Sequence, residues 1–213
     1  MNTLKVPTIH VLEALDITSI ESILEINAPR EYISNVNWNE YPYKPDTSFN
    51  IARTRTNLYI RFCVQGCSLK ASYDKDNSPV HQDSCVEFFM KEENNPHYMN
   101  FEFNCIGTCD AARRASRDVK WPLSSKEYQS IQRLSSLKRI PFEEKKGIYS
   151  WSLIVIIPLQ LMGLDPNNLP EKIRANFYKC ADNTQYPHYL SWNPIALPHP
   201  DFHCPQFFGE LYL

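Results

Sequence analysis

The stretch Asp83–Met90, D-S-C-V-E-F-F-M, alternates residue by residue. Val86, Phe88 and Met90 fall on one side of an extended chain, and Cys85, Glu87 and Phe89 on the other. Successive side chains of a strand point to opposite faces, so the first set makes a purely apolar face. The second mixes a thiol and an acid with an aromatic ring, which poses a choice between a catalytic segment and a sheet strand. A nucleophilic cysteine needs a base beside it and surroundings that lower its pKa. No diagnostic motif surrounds Cys85, so the segment reads as a strand.

The same period recurs along the chain. In N-L-Y-I-R-F-C-V-Q-G, Leu58, Ile60, Phe62 and Val64 oppose Tyr59, Arg61, Cys63 and Gln65, with Gly66 ending the strand. In H-Y-M-N-F-E-F-N-C, Met99, Phe101, Phe103 and Cys105 oppose a dense polar row of Tyr98, Asn100, Glu102 and Asn104. Trp151, Leu153, Val155 and Ile157 repeat the pattern up to Pro158, and A-N-F-Y-K-C-A-D and F-F-G-E-L-Y-L supply C-terminal strands. Two helix starts are visible as capping boxes, Thr18 with Glu21 and Ser124 with Glu127, in which side chain and backbone satisfy each other's free groups. Many short strands separated by turn signals, with few helices, predict an all-β fold. We expect an antiparallel β-sandwich, immunoglobulin-like or jelly-roll-like, with one or two short helical insertions. Residues 1–213 read as a single domain, with 1–37 an N-terminal extension packing on it.

Composition narrows the function. The 213 residues are 43% hydrophobic, enough for a substantial core, and carry a net charge of −2. Nucleic acid is not expected as a partner, because phosphate binding needs a concentrated basic surface. The densest basic stretch, A-A-R-R-A-S-R-D-V-K, is short and reads as a solvated loop. The longest apolar run, S-L-I-V-I-I-P-L-Q-L-M, is too short to span a bilayer, and no secretory signal opens the sequence. A cytoplasmic location is expected, with export after signal removal as the alternative. Seven cysteines, an odd number without zinc-type spacing, read as reduced structural thiols.

Several residues are candidates for chemistry. Glu87 and Glu102 both lie on polar strand faces, and two acids flanking a bond would make a glycoside hydrolase or lyase. Asp74 and Asp76, at alternate positions of a polar loop, have the spacing of calcium ligands, although no cofactor is otherwise implied. His199, Asp201, His203 and Cys204 stand close together, but Pro198, Pro200 and Pro205 hold that segment extended. Trp38, Tyr41, Tyr43, Trp121, Trp192 and Phe202 fall in predicted loops, where exposed rings can stack on sugars.

Segments W-N-E-Y-P-Y-K-P (38–45), Q-D-S-C-V-E-F-F (82–89), Y-M-N-F-E-F-N-C-I-G (98–107), N-F-Y-K-C-A-D (176–182) and the run from His188 to Leu211 together resemble carbohydrate-binding module family 9, especially its stand-alone bacterial members. The resemblance implies a β-sandwich that binds carbohydrate without cleaving it and supports partner glycosidases. In the family a sugar end is clamped between two tryptophans, and the resemblance puts Val80 or His81 and Phe202 at those places, so the tryptophan clamp itself is not reproduced here. Polar contacts are then expected from Asp83, Glu87, Asn100, Glu102 and Asn104, flanked by Arg113 or Arg114, with Trp192 an alternative stacking ring. Calcium in the family also points to the Asp74 and Asp76 loop.

Overall fold

In the computed structural model, which describes Met1–Leu213, the alternating segments are strands and their apolar faces meet. In chain order the elements are β1 (Thr3–Lys5), α1 (Ile20–Asn27), β2 (Arg30–Tyr32), β3 (Asn35–Val36), β4 (Asp46–Arg53), β5 (Asn57–Ala71), β6 (Cys85–Lys91), β7 (Tyr98–Asn104), β8 (Cys109–Arg114) and β9 (Lys120–Pro122). There follow α2 (Ser125–Ser130), β10 (Gln132–Ser135), β11 (Phe142–Pro158), β12 (Lys172–Cys180), β13 (Tyr189–Ser191) and β14 (Gly209–Tyr212). A nine-stranded sheet runs β1-β14-β12-β6-β7-β8-β9, with β13 and β3 attached beside β12. The second, five-stranded sheet runs β10-β11-β5-β4-β2. All pairings are antiparallel except β1 with β14 and an isolated parallel bridge between Thr8 and Arg53. The protein is a β-sandwich.

The main core fills the space between the sheets. Val86, Phe88 and Met90 of β6 and Met99, Phe101 and Phe103 of β7 meet Leu58, Ile60, Phe62 and Val64 of β5 and Trp151, Leu153, Val155 and Ile157 of β11. Phe49 of β4 stacks on Phe177 of β12 with ring centroids 3.8 Å apart, which ties the two layers. Each such side chain contributes roughly 1.5–3 kcal/mol by leaving water.

Both outer faces are covered too. The five-stranded sheet carries Ala52, Tyr59, Ile154 and Ile156 against Leu12 and the Ile20 and Leu24 face of α1. That cover explains why Ile154 and Ile156 interrupt the polar side of β11. On the outer face of the nine-stranded sheet, Cys85, Phe89, Tyr98, Tyr178 and Cys180 lie under Trp38, Val80, Ile195, Phe202, Cys204 and Phe208. The polar row of β7 is therefore buried rather than solvated.

Four expectations change. Residues 1–37 supply strands to both sheets, through β1, β2 and β3. Strand β5 does not stop at Gly66 but continues to Ala71. Glycine is needed there because a Cβ would come within 2.8 Å of the Tyr43 hydroxyl oxygen, which accepts the Cys67 N–H at 2.6 Å. At α1 no side chain caps the helix: Thr18 belongs to the preceding 3-10 turn, and Glu21 reaches Arg61 instead, at 2.9 Å. The box at α2 does form, but of the helical candidate S-S-K-E-Y-Q-S-I-Q-R-L-S-S-L (124–137) only Ser125–Ser130 is helix, and Gln132–Ser135 is strand β10.

Candidate functional site

The register of the large sheet creates the site. Glu87 of β6 lies directly opposite Glu102 of β7 on one side and Tyr178 of β12 on the other. All three point to the outer face, away from the main core. There they meet three segments that cross over the sheet: the turn at Val80–Gln82, the turn after β12, and the proline-rich run before β14. Between them is a cleft of about 190 Å³. His81, Glu87, Glu102, Arg117, Asp182 and Asp201 give its polar lining, and Cys180, Tyr189, Pro200, Phe202 and His203 complete it.

Each group is held by partners. Glu102 accepts a hydrogen bond from the Asn100 amide at 3.0 Å and faces His81 Nδ1 at 3.6 Å. The bond to Glu102 raises the His81 pKa against the opposing effect of burial, so the pair favours imidazolium beside carboxylate. Burial, with the Glu102 charge opposite, pushes Glu87 well above the usual carboxylate range. Its oxygen accepts from the Cys180 thiol at 3.0 Å. Burial pushes Asp182 up to about 6, with His81 acting against it. Arg117 reaches Asp201 at 3.6 Å across the mouth.

The apolar wall is aromatic. Phe202 stacks on Tyr178 with centroids 4.1 Å apart, and Tyr189 meets its edge at 6.1 Å. His203, whose Nδ1 contacts the Tyr98 hydroxyl at 3.0 Å, is driven by burial to a pKa of about 3 and stays neutral.

Of the residues singled out in the sequence, His81, Glu87, Glu102 and Phe202 converge on this cleft, joined by Asp201 and His203 from the proline-rich segment. The other predicted sugar-contact residues do not. Val80 is fully buried beneath it. Asp83 accepts the Ser72 and Tyr73 N–H groups at 2.9 and 3.1 Å and the Asn104 amide at 3.0 Å, so both residues fix turns. Asn100 stands one step behind, between Glu102 and Arg114, whose Nε donates to it at 2.6 Å. Arg113 pairs with Glu127 at 2.6 Å and lines a separate cavity of about 300 Å³ with His97 and Trp121. Trp192 is not a stacking ring: it is 2% exposed, packs edge-on against Phe49 and Phe177, and donates its indole N–H to Glu31 at 3.0 Å. Trp38 is likewise buried, with its N–H bonded to the Leu197 carbonyl at 2.8 Å.

The calcium candidates fare differently from their spacing. Arg133 donates to both Asp76 oxygens, at 2.7 and 2.9 Å. The His199–Cys204 cluster is spent locally, with His203 N–H and Cys204 Sγ both bonded to Asp201. Arg117, Asp182 and Tyr189 were missed as ligand groups, and Asp201 enters the sequence reading only as part of a metal-like cluster. Their segments carry recognisable patterns, but only the crossing of loop over sheet brings these side chains together.

The family model for carbohydrate-binding family 9 matches residues 19–213. The chain belongs to carbohydrate-binding family 9. A crystal structure from Bacteroides uniformis ATCC 8492, provisionally described as a carbohydrate-binding protein, is 36% identical, covers 99% of this chain and 98% of its own, and superposes with a TM-score of 0.93. Two family 9 modules from Caldicellulosiruptor kristjanssonii, one in complex with glucose and one with cellotriose, are each 14% identical and share the fold. They cover 99% of this chain and 95% and 93% of their own, with TM-scores of 0.56 and 0.51. A search of curated proteins finds no match. No helix of this family 9 chain is long and apolar enough to cross a membrane.

Proposed function

We propose that this family 9 protein binds carbohydrate, without cleaving it, in the cleft between His81, Glu102, Asp182 and Phe202. The observation that carries the reading is the composition of that cleft: carboxylates that accept from hydroxyls, an arginine and a histidine that donate, and an aromatic wall. Sugar rings present this mixture, with hydroxyls at the rim and C–H groups on the faces. At about 190 Å³ the cleft lies below the ~300–1,000 Å³ of drug-sized ligand sites, which suits a single ring or chain end. Four acids against one arginine and two histidines, of which His203 is held neutral, disfavour phosphate esters.

Glu87 and Glu102 sit side by side on neighbouring strands. They approach a ligand from one face, whereas glycoside hydrolysis needs carboxyls flanking the scissile bond. Membership of carbohydrate-binding family 9 supports glycosidases acting on the same glycan as the proposed partner class. Titration calorimetry with glucose, cellotriose and a wider sugar panel, followed by product analysis, tests the reading. Saturable binding without product is expected. Binding unchanged in Glu102→Gln and Phe202→Ala would move the site elsewhere, and product formation would make the acid pair catalytic.

A further inference from the structure

Beneath the cleft floor lies a cluster that sugar binding does not use. Cys85 and Cys180 are directly opposed partners on β6 and β12, and Glu87, two residues along β6, projects to the same side. The Glu87 Oε1 atom lies 3.0 Å from Cys180 Sγ and 3.9 Å from Cys85 Sγ, and the three donor atoms fall within 4.8 Å of one another. All three residues are buried, at 0%, 2% and 1% exposure for Cys85, Glu87 and Cys180. Glu87 makes no ion pair: its only hydrogen-bond donors are the two thiols. Lys179, next along β12, offsets this only in part, its ammonium being bonded to the Cys180 carbonyl at 2.7 Å. Without a cation beside it, the buried Glu87 carboxyl is driven towards its neutral form, and a bound cation would restore the carboxylate.

We propose that Cys85, Glu87 and Cys180 form a zinc site whose fourth position opens into the cleft. Tetrahedral zinc with Zn–S of about 2.3 Å and Zn–O of about 2.0 Å sets ligand atoms roughly 3.5–3.8 Å apart, and the observed spacings need shifts of only a few tenths of an ångström on the printed edges. Two thiolates with one carboxylate suit zinc better than calcium or magnesium, which take oxygen ligands. Binding expels the two thiol protons and the proton that burial holds on Glu87 to solvent, and leaves the site with one open position. Glu87 and Cys180 line the cleft while Cys85 lies under it, so that position faces the space where a water or a ligand hydroxyl sits. The zinc site shares Glu87 with the sugar cleft but does not rest on the sugar reading, since it is assayed without sugar.

The test uses the reduced, full-length protein dialysed with zinc and washed, with metal measured by mass spectrometry and the cysteines mapped by alkylation. One zinc per chain is expected, with Cys85 and Cys180, already shielded by burial, alkylated more slowly with zinc than without it in mild urea, and the exposed Cys67 reacting equally in both. Cys85→Ser and Cys180→Ser should each weaken retention at least a hundredfold, and Cys67→Ser should leave it unchanged. Cobalt in place of zinc should give a thiolate charge-transfer band and the intense visible bands of four-coordinate geometry. Wild-type protein that retains no zinc, zinc that protects other cysteines, or a Cys85–Cys180 disulfide that persists under the reducing conditions used would each overturn the proposal. The cobalt spectrum and the metal count need no variant, so they decide the matter even if the serine variants do not fold.

Discussion

Glu102 touches the Asn100 amide and the His81 ring and also lines the cleft, so one substitution reports on both structure and binding. His81 has a folded pKa raised by Glu102. Its contribution to stability is fully present below the ordinary value of about 6.5 and is lost as pH rises through the elevated folded value. Glu102→Gln should lower the His81 pKa in a proton NMR titration and flatten the stability profile through the neutral range. An unchanged His81 titration would mean that the pair does not form in solution. Phe202→Ala removes one side of the aromatic wall and should weaken sugar binding by about 1.5 kcal/mol, roughly tenfold in Kd. Calorimetry at matched folded fraction reads that loss. None of these pairings is visible from spacing, because Glu102 and His81 are brought together by a turn whose position depends on Asp83 holding Ser72 and Tyr73.

At the scale of elements, the strands were legible because their signal is local. The alternation in β6, β7 and β11 separates the two faces without reference to any neighbour. What covers each outer face was not legible, since it depends on loops distant in sequence, and the polar row of β7 consequently looked like a surface. The two capping boxes show the same limit. Ser124 accepts the Glu127 N–H and Glu127 bonds back, which together with Arg113 holds the Glu127 carboxyl down to about 2. The stability this brings is present above the unfolded glutamate value of about 4.3 and is lost as pH falls towards the folded value. Ser124→Ala should cost about 1 kcal/mol in urea denaturation at neutral pH. Thr18→Ala, at a box that tertiary contacts with Arg61 have undone, should stay within about 0.5 kcal/mol. Equal losses at both positions would contradict the helix ends described above.

Over the whole molecule, the tryptophans divide by layer rather than by chemistry. Trp192 lies in no periodic segment, so the sequence placed it in a loop available for stacking. In the structure it plugs the sandwich between Phe49, Phe177 and the backbone of Gly209. A Cβ at residue 209 would meet the Trp192 ring at 2.6 Å and the Asn2 carbonyl oxygen at 2.8 Å, so glycine lets β14 pass under the ring and receive β1. Gly209→Ala should destabilise by about 1–3 kcal/mol and Trp192→Ala by about 3–5 kcal/mol. Trp121, half exposed, should be near neutral to stability when replaced by alanine. Thermal and urea unfolding of the three variants would expose a wrong layer assignment if Trp121 proved the costlier loss.

The central claim is that carbohydrate occupies the cleft floored by Glu87 and Glu102 and walled by Phe202. The most direct measurement is calorimetric titration of the wild type, Glu102→Gln and Phe202→Ala with the sugar that binds best from the panel, with unfolding curves confirming that all three are folded. Saturable wild-type binding that weakens about tenfold or more in both variants is the predicted result. Wild-type affinity retained in both folded variants would contradict it.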